Sequence, residues 1–507
     1  MLAAVLILTW LIADPRTPDL AAQVYRVGLF ERIGFAVWDV NWYAGHHLPG
    51  YSLLFPPLGS LLGIRLVGAL SVIASVALFA RLTRVYGPPA RWATIWFAVA
   101  CVGDLWIGRL TFALGVSLAL ASVLALSRDR AAWAGALAAL CAAASPVAGA
   151  LLGLAGLSAA IAWRSPRALL LLAGPAAAVV LSLALLFPEG GFEPFPLLAF
   201  LATAAVVLAF LWALPPDQRL LRVGACVYLL ACLACMIVPS PIGSNVQRYG
   251  VLLAGPLLLC VRPRPTGAAV AALIVSAVWV LWGPARETIA VAGSDAASAA
   301  YYAPVERFLA TRGGPMRVEV PLTRSHWEAA LLAPSVPLAR GWEKQLDERF
   351  NRVLIARGLT AAAYRQWLRE EAVAYVALPD LPLDPSGVHE GRLIERGLPY
   401  LREVLTTTHW RIYQVLAAAP LASGPGRLTS LAHDSFSLRA NAPGAFLVRV
   451  RYTPYWTVAG GQGCVRQAPG GWTEVSTPAP GTVLVTARFS FARALGSADP
   501  CSGGASR

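Results

Sequence analysis

Charged residues are scarce in this sequence. Only 13% of the 507 residues are Asp, Glu, Lys or Arg, whereas 57% are hydrophobic. Soluble domains carry about 25% charged residues, so a water-facing surface cannot cover such an apolar excess. The scarcity of charge therefore excludes an ordinary soluble protein. It predicts a polytopic membrane protein whose first partner is the lipid bilayer.

Lysine is almost absent. Lys344 is the single lysine among 41 basic residues, and the arginines that produce the net charge of +14 are scattered along the chain. Nucleic-acid modules concentrate their basic residues and interleave them with aromatic ones, so we expect no nucleic-acid partner. The use of Arg in an Ala-rich chain is typical of GC-rich bacterial genomes. This composition suggests a bacterial plasma membrane.

Several chemical motifs are missing from the sequence. It contains no nucleophile elbow, no P-loop, no dinucleotide fingerprint and no Cys/His spacing of a zinc site. Chemistry, if the protein performs any, is therefore expected at the membrane. We expect neither a cofactor nor a metal, with a divalent cation as the alternative.

Long apolar runs fill the first part of the chain. A membrane-spanning helix needs about 20 apolar residues. This requirement places eleven spans near 2–13, 60–80, 91–107, 110–126, 131–147, 149–163, 168–187, 194–213, 222–238, 249–261 and 267–283. The first run is short, and a cleaved signal peptide is its alternative, although it lacks a basic leading region.

The arginines of the short loops predict the topology. Cytoplasmic loops collect Arg and Lys, so Met1 is expected on the cytoplasmic side. The inside loops then hold Arg81, Arg84, Arg91, Arg128, Arg130, Arg164, Arg167, Arg219, Arg222, Arg262 and Arg264. Of nine acids in this region, seven then lie outside. An odd number of spans makes the C-terminal region extracytoplasmic.

Charged residues return after Pro284, which predicts a water-soluble part. Between about 300 and 420, the runs "MRVEVPL", "AVAYVALP" and "HWRIYQVL" alternate with helix-like stretches, which indicates a small α/β layer. From about 427, period-2 alternation broken by Gly and Pro predicts a β-sandwich. We therefore divide the chain into a membrane domain at 1–284, an α/β domain at 285–425 and a β-sandwich domain with a flexible tail at 426–507.

The eight cysteines fall into two groups. Cys464 and Cys501 would meet an oxidising compartment, and we predict a disulfide between them. The other six lie in the predicted spans and are expected to be small buried apolar residues: Cys101, Cys141, Cys226, Cys232, Cys235 and Cys260.

Three acids of the outside loops are candidate catalytic residues. Asp19 follows the first span and is either a helix cap or a general base at the membrane face. Asp39 lies in "WDVNWYAGHHLPGYSLLFPPL" with His46 and His47, a set that either binds a divalent ion or is simply solvated. Asp104 is either a second active-site acid or the ion-pair partner of Arg109.

A second segment, "VPSPIGSNVQRYGVLLAGPLLL", carries candidate binding residues. Asn245, Gln247, Arg248 and Tyr249 stand at the start of a predicted span. An Arg on the outside runs against the charge rule, and a guanidinium binds phosphate bidentately, so a lipid phosphate is a natural partner. The alternative is a snorkelling arginine or an intramolecular pair.

These segments resemble a known superfamily. The acid followed by "DLAAQVY", the "WYAG" loop and "YSLLFPPL" are similar to the multi-spanning GT-C glycosyltransferases that use polyprenyl-phosphate sugars. The "RY" at 248–249 ahead of Pro256 is similar to a lipid-phosphate-binding segment of several such families. The stretch from "VRVRYTPYWTV" to "TARFSF" resembles the terminal β-domain of bacterial membrane proteins of the YfhO type.

The resemblance implies a GT-C-like helical membrane fold and an inverting glycosyl transfer. Asp19 would deprotonate an acceptor hydroxyl of a glycan or lipid, and Arg248 would hold the departing polyprenyl phosphate. Leu20 stands where many relatives have a second acid, which favours a metal-independent reaction.

Further side chains are assigned to the same site by this interpretation. Tyr43, His46 and His47 would wall the substrate groove, since aromatic residues suit a membrane interface. Arg109 joins them as a substrate-binding candidate, and Asp39 and Asp104 are the alternative catalytic acids.

Two other functions stay open. A non-catalytic scaffold for cell-envelope glycan assembly would share the same layout. A transporter of lipid-linked saccharides would need polar residues at mid-membrane and a two-fold internal repeat, and the sequence shows neither.

Overall fold

The computed structural model describes residues 1–261 and 267–496, which form two compact units. Unit 1 comprises Met1–Val27, Gly50–Ala184 and Gly190–Ala292, and unit 2 comprises Gly28–Pro49, Leu185–Glu189 and Gly293–Arg507. The predicted domain boundary at 284 falls inside the last long helix. Residues 28–49, predicted as a loop of the membrane domain, group instead with the C-terminal residues.

The regular elements described in unit 1 are all helices, because its sequence is dominated by Ala and Leu, which are strong helix formers. In chain order the helices are α1 (Leu2–Ala13), α2 (Pro18–Ile33), α3 (Phe55–Leu62), α4 (Ile64–Thr83), α5 (Pro89–Ile107), α6 (Leu110–Ser127), α7 (Ala131–Ala144), α8 (Pro146–Trp163), α9 (Leu169–Leu186), α10 (Leu197–Ala213), α11 (Arg219–Ile237), α12 (Gln247–Cys260) and α13 (Gly267–Val291). The last turns of α2 and α9 belong to unit 2.

Every one of the eleven predicted spans coincides with a helix of the structure, so the predicted multi-spanning helical architecture is confirmed. In the described part of the chain, seven helices are long and apolar enough to cross a membrane: α4, α5, α6, α8, α9, α11 and α13. Helices α1, α7 and α10 are apolar but shorter, and α12 has 14 residues with Pro256 inside it. At 1.5 Å per residue, such helices cover less than the roughly 30 Å of the hydrocarbon core.

Small residues allow the helices of unit 1 to pack closely. A Cβ on Gly115 of α6 would lie 2.5 Å from the Cβ of Ala148, and one on Gly149 of α8 would lie 2.6 Å from that of Ala142. Such close approach is typical of helices that associate within a membrane. Large apolar side chains face outward instead, among them Leu70, Leu185, Leu201, Trp212 and Leu230. They form a surface suited to lipid.

The cysteines of unit 1 are all free, but they differ in exposure. Four are buried as predicted, whereas Cys235 is half-buried and Cys226 is exposed, because this side of α11 faces outward. Cys501 lies outside the described residues, so its pairing with Cys464 stays a prediction. Arg262 and Arg264 of the topology argument also lie outside them.

Unit 2 contains a small α/β layer. Its strands are preceded by the two-residue strands β1 (Trp38–Asp39) and β2 (His46–His47), which pair antiparallel. The elements that follow are α14 (Ala299–Ala310), β3 (Arg317–Glu319), α15 (Glu328–Leu331), α16 (Lys344–Phe350), α17 (Arg352–Ile355), α18 (Ala361–Glu370), β4 (Val373–Pro379), α19 (Val388–Glu395), β5 (Leu401–Thr406) and β6 (Trp410–Val415). The sheet order is β3-β4-β6-β5, with β3 and β4 parallel. The three predicted strands are β3, β4 and β6.

A β-sandwich follows within unit 2. Its strands are β7 (Ala422–Ser423), β8 (Gly426–Ala432), β9 (Ser435–Ala440), β10 (Gly444–Arg451), β11 (Trp456–Gly460), β12 (Cys464–Gln467), β13 (Trp472–Thr477) and β14 (Gly481–Ala487), before the short α20 (Phe491–Ala494). One sheet has the order β12-β13-β10-β7 and the other β11-β14-β9-β8. Phe446, Val448 and Val450 alternate into the core along β10, as the period-2 pattern predicts.

The loop at 38–49 is part of the sandwich. Trp38 and Val40 belong to its buried core, and Trp38 packs edge-on against Trp456 with ring centroids 6.2 Å apart. The backbone N–H of Val40 donates to the carbonyl of His433 at 2.7 Å. Gly45 has φ 139°, and a Cβ there would lie 2.4 Å from the Trp38 ring. Burial of these apolar side chains explains why the loop groups with unit 2.

Candidate active site

The first turn of α2 packs against the turn between α5 and α6. The hydroxyl of Thr17 donates to the carbonyl of Trp106 at 2.8 Å, and the amide of Gln23 donates to the carbonyl of Gly108. Gly108 adopts φ 94°, and a Cβ there would lie 2.5 Å from the backbone nitrogen of Leu20. This position therefore requires glycine, both for its conformation and for the close approach of α2.

This packing brings two predicted acids to one arginine. Nε of Arg109 lies 3.3 Å from Oδ2 of Asp19, and Nη1 of Arg109 lies 3.5 Å from Oδ1 of Asp104. The Asp19 side chain is 32% exposed, whereas that of Asp104 is 8% exposed. Burial lowers the pKa of Arg109, but the two carboxylates outweigh it and raise that pKa above its ordinary value. Asp19 is thus an accessible carboxylate held by a charged guanidinium.

The contacts bear on the structural roles that the sequence allowed for Asp19 and Asp104, a helix cap and an ion-pair partner of Arg109. Asp19 lies in the first turn of α2, directly after Pro18, where a negative charge also complements the helix dipole. Asp104 pairs with Arg109, which is the structural alternative given for it. Its low exposure makes Asp104 a residue that holds Arg109 in place.

Arg248 joins the same cluster from another helix. A short 3₁₀ turn at Gly243–Val246 leads into α12, and Nη2 of Arg248 donates to Oδ1 of Asn245 at 2.5 Å. Arg248 interacts electrostatically with Arg109, which repels it, and with Asp19 and Asp104, which attract it. Within the described part of the chain, its buried Nε atom has no hydrogen-bond partner. A guanidinium whose hydrogen bonds are incompletely satisfied is suited to an added anion.

Two other residues of the same segment serve packing in the structure. The amide of Gln247 donates to the hydroxyl of Thr203 at 2.7 Å. The ring of Tyr249 lies beside that of Tyr228, with centroids 5.3 Å apart. Of the four predicted residues around 245–249, Asn245 and Arg248 belong to the charged cluster by their contacts.

Sequence reasoning missed a further group on α2. The guanidinium carbon of Arg26 lies 3.9 Å from the centre of the Tyr51 ring, and Tyr51 interacts electrostatically with Arg248. Asp19, Gln23 and Arg26 are four and three residues apart, so they share one helix face. This spacing was the signal that could have identified Gln23 and Arg26.

The other predicted acid, Asp39, belongs to unit 2 and is fully buried with His46. Its Oδ1 lies 3.0 Å from Nδ1 of His433 and accepts from the N–H of Asn41 at 3.2 Å. Nδ1 of His46 lies 3.2 Å from the carbonyl oxygen of Asp39. These contacts fix the hairpin of β1 and β2 onto the sandwich.

Tyr43 and His47 also lie in unit 2 and are 1% and 5% exposed. The Tyr43 hydroxyl donates to the carbonyl of Gly341 at 2.8 Å, and Nδ1 of His47 lies 2.9 Å from Oε1 of Glu189. The structure therefore places these two side chains inside a packed loop of unit 2. Their binding role stays a prediction.

Metal-ligating side chains are not clustered in the residues described. Across 1–261 and 267–496, no group of three or more His, Cys, Asp or Glu is arranged to hold a metal ion. The cluster of Asp19, Asp104, Arg109 and Arg248 contains two negative and two positive charges. In general, a carboxylate can accept a proton and a guanidinium can bind an anion.

Comparisons with known proteins give similarity to solved structures. No family model matches the chain, and no curated protein matches it. Among solved structures it is similar to the arabinofuranosyltransferase AftD from Mycobacteria, determined by single-particle cryo-EM, at 19% sequence identity and a TM-score of 0.48. The match covers 82% of this chain and 39% of that chain. This chain therefore spans about two fifths of that protein.

Proposed function

We propose that this protein is a membrane glycosyltransferase that moves a sugar from a polyprenyl-phosphate donor to an extracytoplasmic glycan or lipid acceptor. The observation that carries the proposal is the cluster in which half-exposed Asp19 and partly unsatisfied Arg248 act on each other electrostatically. Sugar transfer from a lipid phosphate needs both a proton acceptor and a cation. These two side chains supply them at the ends of membrane helices.

Asp19 is the proposed general base. The acceptor hydroxyl oxygen attacks the anomeric carbon of the donor, its proton passes to the Asp19 carboxylate, and the bond from that carbon to the phosphate oxygen breaks. The electron pair of the broken bond leaves with the polyprenyl phosphate, and attack opposite the leaving group inverts the anomeric centre. Arg109 holds Oδ2 of Asp19 at 3.3 Å, which fixes the orientation of the carboxylate.

Arg248 is the proposed phosphate ligand. Arg109 is already shared by two carboxylates, whereas Arg248 donates to the neutral amide of Asn245. Its charge is therefore better placed to meet the phosphate, whose negative charge increases as the sugar departs. Asp104 and Arg109 position the site, and no step of this scheme is assigned to a metal ion.

The proposed orientation places this cluster on the extracytoplasmic side. The start of α2, the end of α5 with the turn before α6, and the start of α12 carry the cluster residues, and the arginine-rich loops lie at the other helix ends. The positive-inside rule assigns those loops to the cytoplasm. The C-terminal region, which follows α13, would then also be extracytoplasmic.

A transfer assay tests the proposal. The purified full-length protein in lipid nanodiscs is incubated with synthetic polyprenyl-phosphate pentoses and hexoses and a cell-envelope glycan extract, and release of free polyprenyl phosphate is followed by mass spectrometry. We expect release with at least one donor, and its loss in Asp19→Asn. Asp14→Asn is the matched control, because Asp14 pairs with Arg16 and Arg65 outside the cluster.

The rival functions give different results. A scaffold would bind polyprenyl phosphate or glycan without releasing any product from any donor. A transporter reconstituted in vesicles would move the intact lipid-linked sugar to the other leaflet. Either result would overturn the enzymatic proposal.

A further inference from the structure

Unit 1 encloses a second feature, an apolar cavity of about 640 Å³. Phe79, Val123, Leu172 and Phe210 contribute to its wall from four different helices. Its inner part is bounded by Tyr228 and Tyr249, whose rings lie side by side. Within a membrane-spanning bundle, such a wall excludes water and suits a hydrocarbon chain.

Four polar residues of this cavity lie together at one end of the bundle. Tyr86, Ser127, Ser165 and Arg167 line it, and they lie just after α4, at the end of α6 and just before α9. Helix α6 starts directly after Arg109 and rises about 1.5 Å per residue, so Ser127 lies roughly 26 Å along the helix from the candidate active site. The polar mouth is therefore separate from the Asp19 cluster.

The helix ends around the mouth are strongly basic. Exposed arginines of the described loops and helix ends there are Arg81, Arg84, Arg91, Arg128, Arg130, Arg164, Arg167, Arg219 and Arg222, against two exposed acids, Asp129 and Asp217. Nine positive and two negative charges leave a balance of +7. Arg167 lines the cavity itself, is half-exposed, and pairs with Asp129 at 2.7 Å. A basic rim above an apolar cavity is complementary to an anionic lipid.

We propose that this cavity binds one acyl chain of an anionic glycerophospholipid, whose phosphate lies at the basic rim beside Arg167. The apolar wall selects the chain, and the charge of the rim selects the headgroup. Because Tyr249 follows Arg248 directly, a bound chain packs against the helix that carries the proposed phosphate ligand. The site itself is independent of the proposed glycosyl transfer.

Lipid binding to the delipidated full-length protein tests this assignment. Native mass spectrometry compares phosphatidylglycerol with phosphatidylcholine at equal concentrations. We expect one tightly retained phosphatidylglycerol and weaker retention of phosphatidylcholine. One basic residue near a lipid phosphate contributes about 1 kcal/mol to binding. Arg167→Ala should therefore weaken the binding of phosphatidylglycerol roughly fivefold. Equal retention of both lipids, or no effect of Arg167→Ala, would overturn the proposal.

A matched pair of substitutions on α11 tests the cavity. Gly224 lines it, and a Cβ there would lie 3.8 Å from the nearest atoms, those of Ser158, so Gly224→Leu fills the space without a backbone clash. Cys226→Leu is the matched control, because Cys226 is exposed and does not line the cavity. We expect Gly224→Leu to abolish the retained lipid and Cys226→Leu to keep it. Retention in Gly224→Leu would contradict the assignment.

A third measurement needs no variant. A phosphatidylglycerol with a photoreactive group in its acyl chain is cross-linked to the wild-type protein, and adducts are mapped by mass spectrometry. We expect adducts on Phe210 or Trp279, which line the cavity. Adducts confined to outward-facing residues would refute the site. Loss of these adducts on addition of polyprenyl phosphate, but not of phosphatidylcholine, would reassign the cavity to the donor lipid.

Discussion

The guanidinium of Arg109 holds Asp19 through its Nε atom at 3.3 Å, across 90 residues of sequence. The same guanidinium reaches Asp104, one turn earlier in α5, at 3.5 Å. One cation therefore connects two helices and neutralises part of the charge of each acid. Because Asp19 stays 32% exposed, the ion pair orients this carboxylate and leaves it accessible to another molecule.

The first prediction concerns the proposed base. Asp19→Asn keeps the size of the side chain and removes the proton acceptor, so the transfer rate should fall by about 10²–10⁴. Arg109 retains Asp104 as a partner in this variant, so the protein should express and fold normally. Initial rates of polyprenyl phosphate release measure the effect. Rates equal to those of Asp14→Asn would remove Asp19 from the mechanism.

The second prediction separates binding from chemistry. Arg248→Ala removes charged hydrogen bonds worth about 1.5–3 kcal/mol, so affinity for polyprenyl phosphate should fall roughly 10- to 150-fold. Arg248→Lys should restore only part of it, since an ammonium group cannot bind phosphate bidentately. Thermophoresis with synthetic polyprenyl phosphate gives the dissociation constants. Arg81→Ala, which changes an exposed arginine of α4, is the control. Unchanged affinity in Arg248→Ala would contradict the phosphate role.

The charged cluster could be predicted from the sequence, because successive membrane helices run in opposite directions and only alternate loops can meet on one face. Asp19, Asp104, Arg109 and Arg248 each stand at or near a helix end, and the alternating helices bring those ends to one face of the bundle. The separation of spans and the two β-rich regions also follow from periodicity and charge. These features depend on local pattern, which a single sequence records well.

The position of the loop at 38–49 could not be predicted in this way. Its burial depends on Trp38 reaching Trp456 and Val40 reaching His433, contacts between residues about 400 positions apart. Aromatic residues beside an apolar segment suit a membrane interface as well as a protein core, so composition does not decide between them. Long-range packing places the loop at 38–49 in the core of the sandwich.

The third prediction concerns the disulfide. A bridge between Cys464 and Cys501 closes a loop of 37 residues, for which chain entropy gives about 3–4 kcal/mol. Thiol labelling of the denatured protein should therefore modify six of the eight cysteines before reduction and eight after it. Modification of all eight before reduction would exclude the bridge.

The fourth prediction concerns topology. A reporter active only in the cytoplasm should be silent when fused at Arg507, because the arginine pattern places the C-terminal region outside. The same reporter fused after Arg128, in a loop predicted inside, should be active and serves as the control. Activity at Arg507 would reverse the orientation and place Asp19 on the cytoplasmic side.

The fifth prediction rests on a buried acid pair in unit 2. Glu390 of α19 accepts from the Tyr364 hydroxyl at 2.8 Å and from Nη1 of Arg340 at 3.3 Å, and Glu319 of β3 lies beside it. The pKa of Glu390 is raised to about 7, chiefly by burial and also by Asp347, although Arg340 and the Tyr364 hydroxyl lower it. Burial likewise raises the pKa of Glu319 well above its ordinary value, and Glu390 adds to that shift.

These pKa directions fix how stability depends on pH. An unfolded glutamate titrates near 4.3, so the folded state binds the proton more tightly than the unfolded state does. The stabilisation is complete below about pH 4.3 and is lost as the pH rises through about 7. Glu390→Gln removes this titration, and its amide oxygen can still accept from Arg340 while its NH2 group donates to the Tyr364 hydroxyl, which can accept as well as donate. The variant should match the wild type near pH 5 and exceed its stability at pH 8, on the order of 3 kcal/mol.

Thermal unfolding of the full-length protein at both pH values measures the difference. Glu395→Gln, on the same helix but 59% exposed, should follow the wild type at each pH. A Glu390→Gln variant that is less stable than the wild type by the same amount at pH 5 and pH 8 would show that this carboxyl is ionised throughout the range. Its charge would then be stabilised fully by Arg340.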